Sequence, residues 1–352
     1  MQSNIMGWDI GGAHVKAAII QPGSGVIAVH QRPCQLWKGI DRLHEAVKDI
    51  LGESTLHANR HVLTMTGELV DLFEDREDGV KHILAAMNCL LPNSEVLVYA
   101  GKDGFLRMAD ANTTHYSSIA SANWLASATW AAQSVGNGLF VDIGSTTTDI
   151  LLLNEGKVLA EGYTDYQRLI SQELIYTGIV RTAVMAVAQS VQDEGKEVGL
   201  MAEYFATMAD VYRLTGELNE LHDQTDTADG AEKTVPASAK RLARMIGCDY
   251  SANELPRWHK FAKNLRDQQI ARIQSACERL AMRIQLPDNS PLIGAGVGRF
   301  LVKQIAFNLG RPYQDFSGLL EGFRSLCGLA AADCAPAVAV ACLAATWDSR
   351  SY

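Results

Sequence analysis

The strongest constraint on this chain is an Asp-Ile-Gly motif that occurs twice, beginning at Asp9 and at Asp142. Each copy follows a short apolar stretch typical of a buried strand, and small or hydroxyl-bearing residues then lead into a second apolar stretch. The next turns, residues 21–25 and 154–157, also correspond, and a third short strand is expected after each. Two strand-turn-strand-turn-strand units predict an internal duplication.

The second copy contains the residue types that a phosphate-binding turn needs. Gly144 lets backbone N–H groups approach an oxyanion, and Asp142 can hold Mg²⁺ directly or through water. Further hydroxyl donors come from Ser145, Thr146 and Thr147. A hairpin with a Ser/Thr-rich turn would show the same residues without binding a ligand. The copy at Asp9 favours the phosphate interpretation, because two such turns facing each other would grip one phosphate chain from both sides.

The alternation of predicted strands and helices indicates an α/β fold, and a length of 352 residues favours two domains. We place these domains at residues 1–137 and 138–352. Between about 199 and 288 the composition changes to charged, periodic helix, which predicts a helical insertion in the second domain. We also expect one continuous helix over 116–135 and a largely helical segment over 166–192.

Composition excludes several classes of protein. Hydrophobic residues make up 47% of the chain, enough for sizeable cores, while a net charge of −9 with no Lys/Arg-rich block argues against a nucleic-acid surface. The seven scattered cysteines form no CxxC pair and favour a reducing cytoplasm. No secretory signal is visible, and the longest apolar run, 328–347, contains Asp333 and Pro336, so it predicts a core helix. We therefore expect a cytoplasmic protein with no membrane partner; the sequence is compatible with a homo-oligomer.

Three further segments have both a functional and a structural interpretation. Gly294 and Gly296 lie between a short strand and a helix, where a phosphate or a nucleotide face can bind, although a plain strand-to-helix turn needs glycines too. Glu68 follows a strand and marks either a site edge or the start of a helix. Asp226 and Asp229 belong to an acidic loop that suits either a cation or amine ligand, or solvent.

The two Asp-Ile-Gly hairpins and the late Gly-x-Gly turn resemble the two phosphate motifs and the adenosine motif of the actin, Hsp70 and sugar-kinase superfamily. This resemblance covers nearly the whole chain outside the insertion and implies a duplicated actin-like (ribonuclease H-like) ATPase fold. One departure is Ala13, because many members have Ser or Thr there. The motifs are matched by Asp9, Gly11, Gly12, Asp142, Gly144, Ser145, Thr146, Thr147, Asp149, Gly294 and Gly296.

Longer phrases resemble the hydantoinase A/oxoprolinase-type proteins linked to one-carbon transfer on tetrahydromethanopterin. These phrases are residues 64–71, 122–124, 164–169, 176–182 and 226–230. An archaeal member of that family forms an ether in methanofuran biosynthesis, where the phenol of γ-glutamyltyramine displaces diphosphate from an aminomethylfuran-methyl diphosphate. The resemblance thus implies a Mg²⁺-dependent transferase with a diphosphate substrate and a phenolic amine substrate.

The resemblance also suggests roles for individual residues. Asp9 and Asp142 would hold Mg²⁺, and the diphosphate would be received by Gly11, Gly12, Lys16, Gly144, Ser145, Thr146 and Thr147. The phenol, whose unperturbed pKa is about 10, attacks better when deprotonated, and the candidate bases are Glu68, Asp149 and Asp165. Candidate substrate ligands are Arg168 and Arg181 for the glutamyl carboxylates, and Asp226 and Asp229 for the furan's ammonium group. Helix-surface salt bridges would account for the same four residues.

Two other functions use the same turns. An ATP-dependent small-molecule kinase or a hydantoinase/oxoprolinase-like ATPase would place adenine against the Gly294–Gly296 turn. A nucleotide-gated regulator would move its domains without converting a substrate. ATP is a less favoured ligand than a substrate diphosphate, because the longer phrases point to the ether-forming relatives.

Overall fold

The computed structural model of the chain describes residues 4–54, 57–320 and 328–347. The first sheet has the strand order β3-β2-β1-β4-β5-β6, with β1 antiparallel to β2 and parallel to β4. Its strands are β1 (Asn4–Ile10), β2 (His14–Gln21), β3 (Gly25–Pro33), β4 (Ala58–Met65), β5 (Glu95–Tyr99) and β6 (Phe105–Arg107). The helices of this part are α1 (Asp41–Glu53), α2 (Arg76–Leu90), α3 (Thr113–Ile119) and α4 (Asn123–Val135).

The second sheet repeats the strand order of the first. Its strands are β7 (Gly138–Ile143), β8 (Thr148–Asn154), β9 (Lys157–Val158), β10 (Leu174–Ile175), β13 (Leu292–Ala295) and β14 (Tyr313–Asp315). Between β10 and β13 in the chain, β11 (Ser190–Asp193) and β12 (Lys196–Gly199) form a separate hairpin. The order is β10-β8-β7-β13-β14, with β9 also on β8, so that β8-β7-β13-β14 takes the places of β2-β1-β4-β5. The predicted α/β fold with an internal duplication is thereby confirmed.

The remaining helices are α5 (Asp165–Ser171), α6 (Met208–Thr215), α7 (Val235–Arg244), α8 (Leu255–Met282), α9 (Arg299–Asn308) and α10 (Ala335–Thr346). The region predicted to be a helical insertion contains α6, α7 and α8. Buried ion pairs join α6 to its neighbours, since Arg241 Nη2 lies 2.6 Å from Asp210 Oδ1 and Arg213 Nη2 lies 2.6 Å from Asp223 Oδ2. These charges are tolerated in the interior because each is paired and hydrogen-bonded.

Two helical predictions were wrong. The segment 116–135 is two helices, because Ser121 has a φ of +51° between α3 and α4 and breaks the helical path. Within 166–192 only α5 is an α-helix; Gln172 at its end has a left-handed conformation, with a φ of 60°, and β10 and β11 follow. Local periodicity predicted helix in both places, but contacts distant in sequence determined the backbone path.

The chain packs into two compact units. Of the described residues, the first comprises 4–54, 57–138, 153–159, 315–320 and 328–347, and the second comprises 139–152 and 160–314. This grouping differs from the boundary expected after residue 137, because the C-terminal helix α10 contacts β1, β2, β4 and α4 of the first unit. The alanine-rich composition of α10 fits this position: a Cβ on Gly7 of β1 would lie 2.0 Å from the Ala337 carbonyl oxygen, so helix and strand meet at backbone distance.

A buried histidine in the first unit makes its stability depend on pH. Trp8 Nε1 donates a hydrogen bond to His61 Nδ1 at 3.0 Å, and burial lowers the pKa of His61 to about 4. Above pH 6.5 the imidazole is neutral in both states. As pH falls from 6.5 towards 4, only the unfolded chain takes up this proton, so stability is lost over that window.

We expect the protein to lose less stability between pH 7 and pH 4.5 when His61 is replaced by Gln, which keeps an acceptor for Trp8. The loss in free energy of unfolding should be smaller by up to about 3 kcal/mol in His61→Gln than in the unaltered protein. Urea unfolding at both pH values measures the difference, and His82→Gln, at an exposed position of α2, is the matched control. Equal pH dependence in His61→Gln and in the unaltered protein would contradict a buried neutral imidazole.

Candidate active site

In the first unit, β1 carries Asp9 next to the turn that joins it to β2. Asp9 lies opposite Lys16 of β2 and Thr64 of β4 in the strand register, and its carboxylate accepts a hydrogen bond from Asn123 Nδ2 at 3.3 Å. The turn is compact because the Gly11 N–H donates to the His14 carbonyl at 2.9 Å. The carboxylate is thus oriented by the first residue of α4.

Lys16 of β2 and Glu68, which follows β4, both have partners in the first unit. The Lys16 ammonium donates to the Asp333 carbonyl at 2.8 Å. Glu68 is 1% exposed and accepts a hydrogen bond from Ser121 Oγ at 2.7 Å. These contacts favour structural roles, and the catalytic role of Glu68 stays a prediction.

In the second unit, β7 carries Asp142 to the turn formed by residues 144–147. The turn is closed by a hydrogen bond from the Gly144 N–H to the Thr147 carbonyl, 2.9 Å long, and all four residues are half-exposed. The hydroxyl oxygens of Ser145 and Thr146 lie 3.4 Å apart on it. Backbone N–H groups and hydroxyls are therefore available together at the end of a strand that also presents a carboxylate.

The segment from Gly178 to Thr182 supports this turn from within the second unit. The N–H groups of residues 179, 180 and 181 donate to the carbonyls of Gly144 and Ser145 at 2.8–3.1 Å. A Cβ on Gly178 would lie 2.4 Å from the Thr146 nitrogen, closer than real Cβ atoms approach. Sequence reasoning missed this function of Gly178, because nothing in the motif spacing connects the two segments.

The late glycine turn contacts the same aspartate. Ala295 of β13 pairs with Asp142 in the parallel register, and Gly296 has a φ of +76°, so that a Cβ placed on it would lie 2.2 Å from Asp142 Oδ1. The Gly298 N–H donates to the Ile143 carbonyl at 2.8 Å. Gly294 instead faces the Tyr313 ring, since its Cβ would lie 2.8 Å from Tyr313 Cε2. Gly296 therefore lies at the candidate site, and Gly294 packs against β14.

Asp149 and Arg168 bind each other in the interior of the second unit. Arg168 is 2% exposed and its Nη2 donates to Asp149 Oδ1 at 2.6 Å and to the Glu173 carbonyl at 3.2 Å. Burial raises the pKa of Asp149, and the Arg168 charge opposes that shift. An internal ion pair of this kind argues against Asp149 as the base and against Arg168 as a ligand for a substrate carboxylate.

The other predicted substrate residues are not brought together. Arg181 reaches the turn of residues 144–147, with Nη1 3.4 Å from Thr146 Oγ1, whereas Asp165 begins α5. Asp229 accepts hydrogen bonds from Arg241 Nη1 at 3.1 Å and from the Ala231 N–H at 3.1 Å, and Asp226 is exposed on the same loop. Only Arg181 among these four is placed at the turn, so its substrate role is the one that the geometry favours.

Each of the two turns, considered by itself, offers a carboxylate of the kind that Mg²⁺ accepts. Among the described residues no group of three or more His, Cys, Asp and Glu side chains converges on one point. Mg²⁺ usually keeps several waters and binds one or two carboxylates plus substrate phosphates, so it does not need such a group. Asp9 and Asp142, each at the end of a strand and beside a glycine turn, are compatible with that chemistry.

None of the helices in 4–54, 57–320 and 328–347 combines the length and apolar character that crossing a membrane requires.

The repeated strand order and the repeated acidic turns are those of the duplicated actin-like (ribonuclease H-like) fold. The nucleotide-free structure of an ATP-dependent acetone carboxylase is similar over 97% of this chain and 70% of that chain, with a TM-score of 0.54 at 11% identity. That likeness concerns the fold alone.

The chain belongs to the hydantoinase/oxoprolinase family, whose profile matches residues 60–337. It is similar to the (4-{4-[2-(γ-L-glutamylamino)ethyl]phenoxymethyl}furan-2-yl)methanamine synthase of Methanocaldococcus jannaschii, with 31% identity over 308 residues that cover 86% of this chain and 88% of the relative. The synthase of the same name from Methanococcus vannielii is 32% identical over 113 residues, which cover 32% of this chain and 50% of that relative.

We expect Gly178→Ala to weaken binding of Mg²⁺-diphosphate by about tenfold or more, because the added methyl forces the turn at residues 144–146 to move. Thermal-shift titration of diphosphate at fixed Mg²⁺ measures the affinity. Gly199→Ala is the matched control, since a Cβ there meets no atom within 4 Å. Unchanged diphosphate affinity in Gly178→Ala would exclude the turn as the binding site.

Proposed function

We propose that this protein is an ether-forming synthase of methanofuran biosynthesis. It joins the phenol of γ-glutamyltyramine to a furylmethyl carbon and releases diphosphate. The observation that carries the proposal is the 31% identity to the M. jannaschii synthase over most of both chains. That relative's name describes an aryl ether, with a phenoxymethyl group on a furan methanamine, which is the product of this condensation.

The reaction forms one carbon–oxygen bond and breaks another. The phenol oxygen loses its proton and attacks the furylmethyl carbon, and the diphosphate leaves with the electron pair of its carbon–oxygen bond. Negative charge grows on the leaving group in the transition state, so the site must place donors and cations around the diphosphate. No phosphoryl group is transferred, and ATP is not required by this stoichiometry.

The half-exposed turn of residues 144–147 is suited to the leaving group. Its backbone N–H groups and hydroxyls are not acid–base catalysts, but they are the hydrogen-bond donors that a diphosphate needs. Arg181, beside Thr146, adds a fixed positive charge. In the first unit, Gly11 and Gly12 provide the corresponding backbone turn, while Lys16 has one donor engaged by the Asp333 carbonyl.

Asp9 in the first unit and Asp142 in the second are each proposed as a ligand for Mg²⁺, which when bound would neutralise charge on the departing diphosphate. Asn123 keeps the Asp9 carboxylate oriented, and Gly296 allows the backbone of the late turn to lie against Asp142. A larger residue at position 296 would occupy the space of Asp142 Oδ1.

For the phenol proton we assign Asp165 as the base, although it begins α5 and is not at the turn of residues 144–147, because the other two candidates have structural partners. Glu68 is buried against Ser121, and Asp149 is paired with Arg168. Asp165 is half-exposed at the first turn of α5 and so can exchange a proton with solvent.

We expect Asp142→Asn to lower the rate of ether formation by about a hundredfold or more, because it removes a carboxylate ligand from Mg²⁺ while preserving size. The assay contains the purified protein, Mg²⁺, γ-glutamyltyramine and the furanmethyl diphosphate, and mass spectrometry detects the ether. Asp249→Asn, at an exposed position of the insertion, should leave the rate unchanged.

Absence of the ether, together with ATP turnover stimulated by a sugar, amine or hydantoin, would overturn the proposal in favour of a kinase or an ATP-dependent hydrolase. Nucleotide binding with no turnover of any small molecule would favour a nucleotide-gated regulator instead.

A further inference from the structure

The segment that supports the turn of residues 144–147 buries all but two of its residues. Over residues 173–182 only Tyr176 and Arg181 are exposed. Arg181 reaches the turn and is the positive charge assigned to the diphosphate. Tyr176 is 62% exposed, and an aromatic side chain of this size is usually buried to a greater extent. The ether-forming chemistry described above gives this ring no role.

The backbone of Tyr176 lies beside the turn. Ile175, the last residue of β10, pairs with Thr148 at the start of β8 in an antiparallel register. Continuing that register by one residue sets Tyr176 opposite Thr147. Opposite residues of an antiparallel pair have Cα atoms about 5 Å apart and side chains on the same face. The Tyr176 ring is therefore attached next to the donors proposed for the diphosphate.

The residue after Tyr176 is fixed by hydrogen bonds. Thr177 is fully buried, its Oγ1 accepts from Gln269 Nε2 at 2.7 Å, and its carbonyl accepts from Thr148 Oγ1 at 2.7 Å. Gln269 of α8 also donates to the Gly178 carbonyl at 3.0 Å. The ring thus projects from a backbone that is held before any ligand binds, and a group on such a support loses little freedom on binding.

The other large exposed aromatic side chains of the second unit are attached elsewhere. Tyr163 and Tyr166 flank the start of α5, and Phe307 lies in the last turn of α9. Tyr204 lies in the insertion before α6. Among the exposed aromatic residues that the structure describes in this unit, only Tyr176 continues a strand that pairs next to the turn.

A ring at this position fits the shape of the diphosphate substrate. In a furylmethyl diphosphate one methylene joins the ring to the diphosphate, so the ring centre is about 5 Å from the nearer phosphorus on standard bond lengths. When the diphosphate leaves with its electron pair, positive charge develops on the furylmethyl carbon and spreads into the furan ring. The face of an aromatic side chain is electron-rich and attracts a positive charge that lies within about 6 Å of its centre.

We propose that Tyr176 is a further catalytic residue, whose ring lies against the furan of the diphosphate substrate and stabilises the positive charge on the furylmethyl carbon as the carbon–oxygen bond breaks. The inference rests on the proposed function, which supplies the substrate. Tyr176 acts through its ring face, so no proton is transferred to or from its hydroxyl. The phenol oxygen of γ-glutamyltyramine still forms the new bond, and the diphosphate still takes the electron pair.

We expect Tyr176→Ala to lower kcat for ether formation about tenfold, whereas Tyr176→Phe keeps the ring and should hold kcat within about twofold of the unaltered protein. Phe307→Ala, at an aromatic side chain that is 80% exposed, is the matched control and should leave kcat unchanged. Equal losses in Tyr176→Ala and Tyr176→Phe would overturn the proposal, because they would assign the effect to the hydroxyl. An unchanged kcat in Tyr176→Ala would overturn it as well.

Calorimetry without the phenol substrate separates this inference from the proposed function. With Mg²⁺ present, we expect 3-furylmethyl diphosphate to bind about tenfold more tightly than methyl diphosphate, which lacks the ring. Tyr176→Ala should abolish this difference and Tyr176→Phe should keep it, and that result supports the ring contact even if no ether forms. Equal affinity for the two diphosphates in the unaltered protein would overturn the inference even if the ether forms normally, and so would a difference that persists in Tyr176→Ala.

Discussion

The candidate site depends on backbone-to-backbone packing at two glycines of the second unit. Gly178 brings the segment 178–182 into contact with the turn of residues 144–147, and Gly296 brings the late turn against Asp142. A side chain at either position would occupy the space of atoms that the site uses. Because the carbonyls of the turn are taken up by this inner segment, the turn is fixed from behind by hydrogen bonds rather than by its own two strands alone.

Close packing at a glycine also occurs in the first unit, where Gly7 lets α10 approach β1 at backbone distance. Half of the residues of α10 are alanine and residues 335–344 are buried, so a larger side chain at the contact would push the helix off the sheet. The sheet edge that presents Asp9 is therefore supported by a helix from the far end of the chain. Both acidic turns are held by close packing of small residues, which suits a site whose donors must be preorganised.

The buried charged residues of the second unit have a different role from the charged residues at the turns. Asp149 with Arg168, and Asp210 with Arg241, are internal ion pairs that connect segments of the second unit. Removing one partner of such a pair leaves an unpaired buried charge, which costs more than the pair contributes. Arg181 is exposed beside the turn of residues 144–147, and it is the charge that the proposed chemistry assigns to a ligand.

The sequence alone determined the duplicated α/β architecture, the two acidic turns and the family, because strand periodicity, the repeated Asp-Ile-Gly motif and the longer phrases are local properties of the chain. It could not determine which candidate residues are available. Asp149 and Arg168 both appeared suitable for a site, and only the fold places them against each other in the interior. It also predicted one helix over 116–135, where the path breaks at Ser121, and assigned the C-terminal helix to the second domain, although α10 packs on the first sheet. The tertiary structure decided these points because burial, ion pairing and glycine contacts such as that of Gly178 with Thr146 join residues far apart in sequence, and no local pattern records such distances.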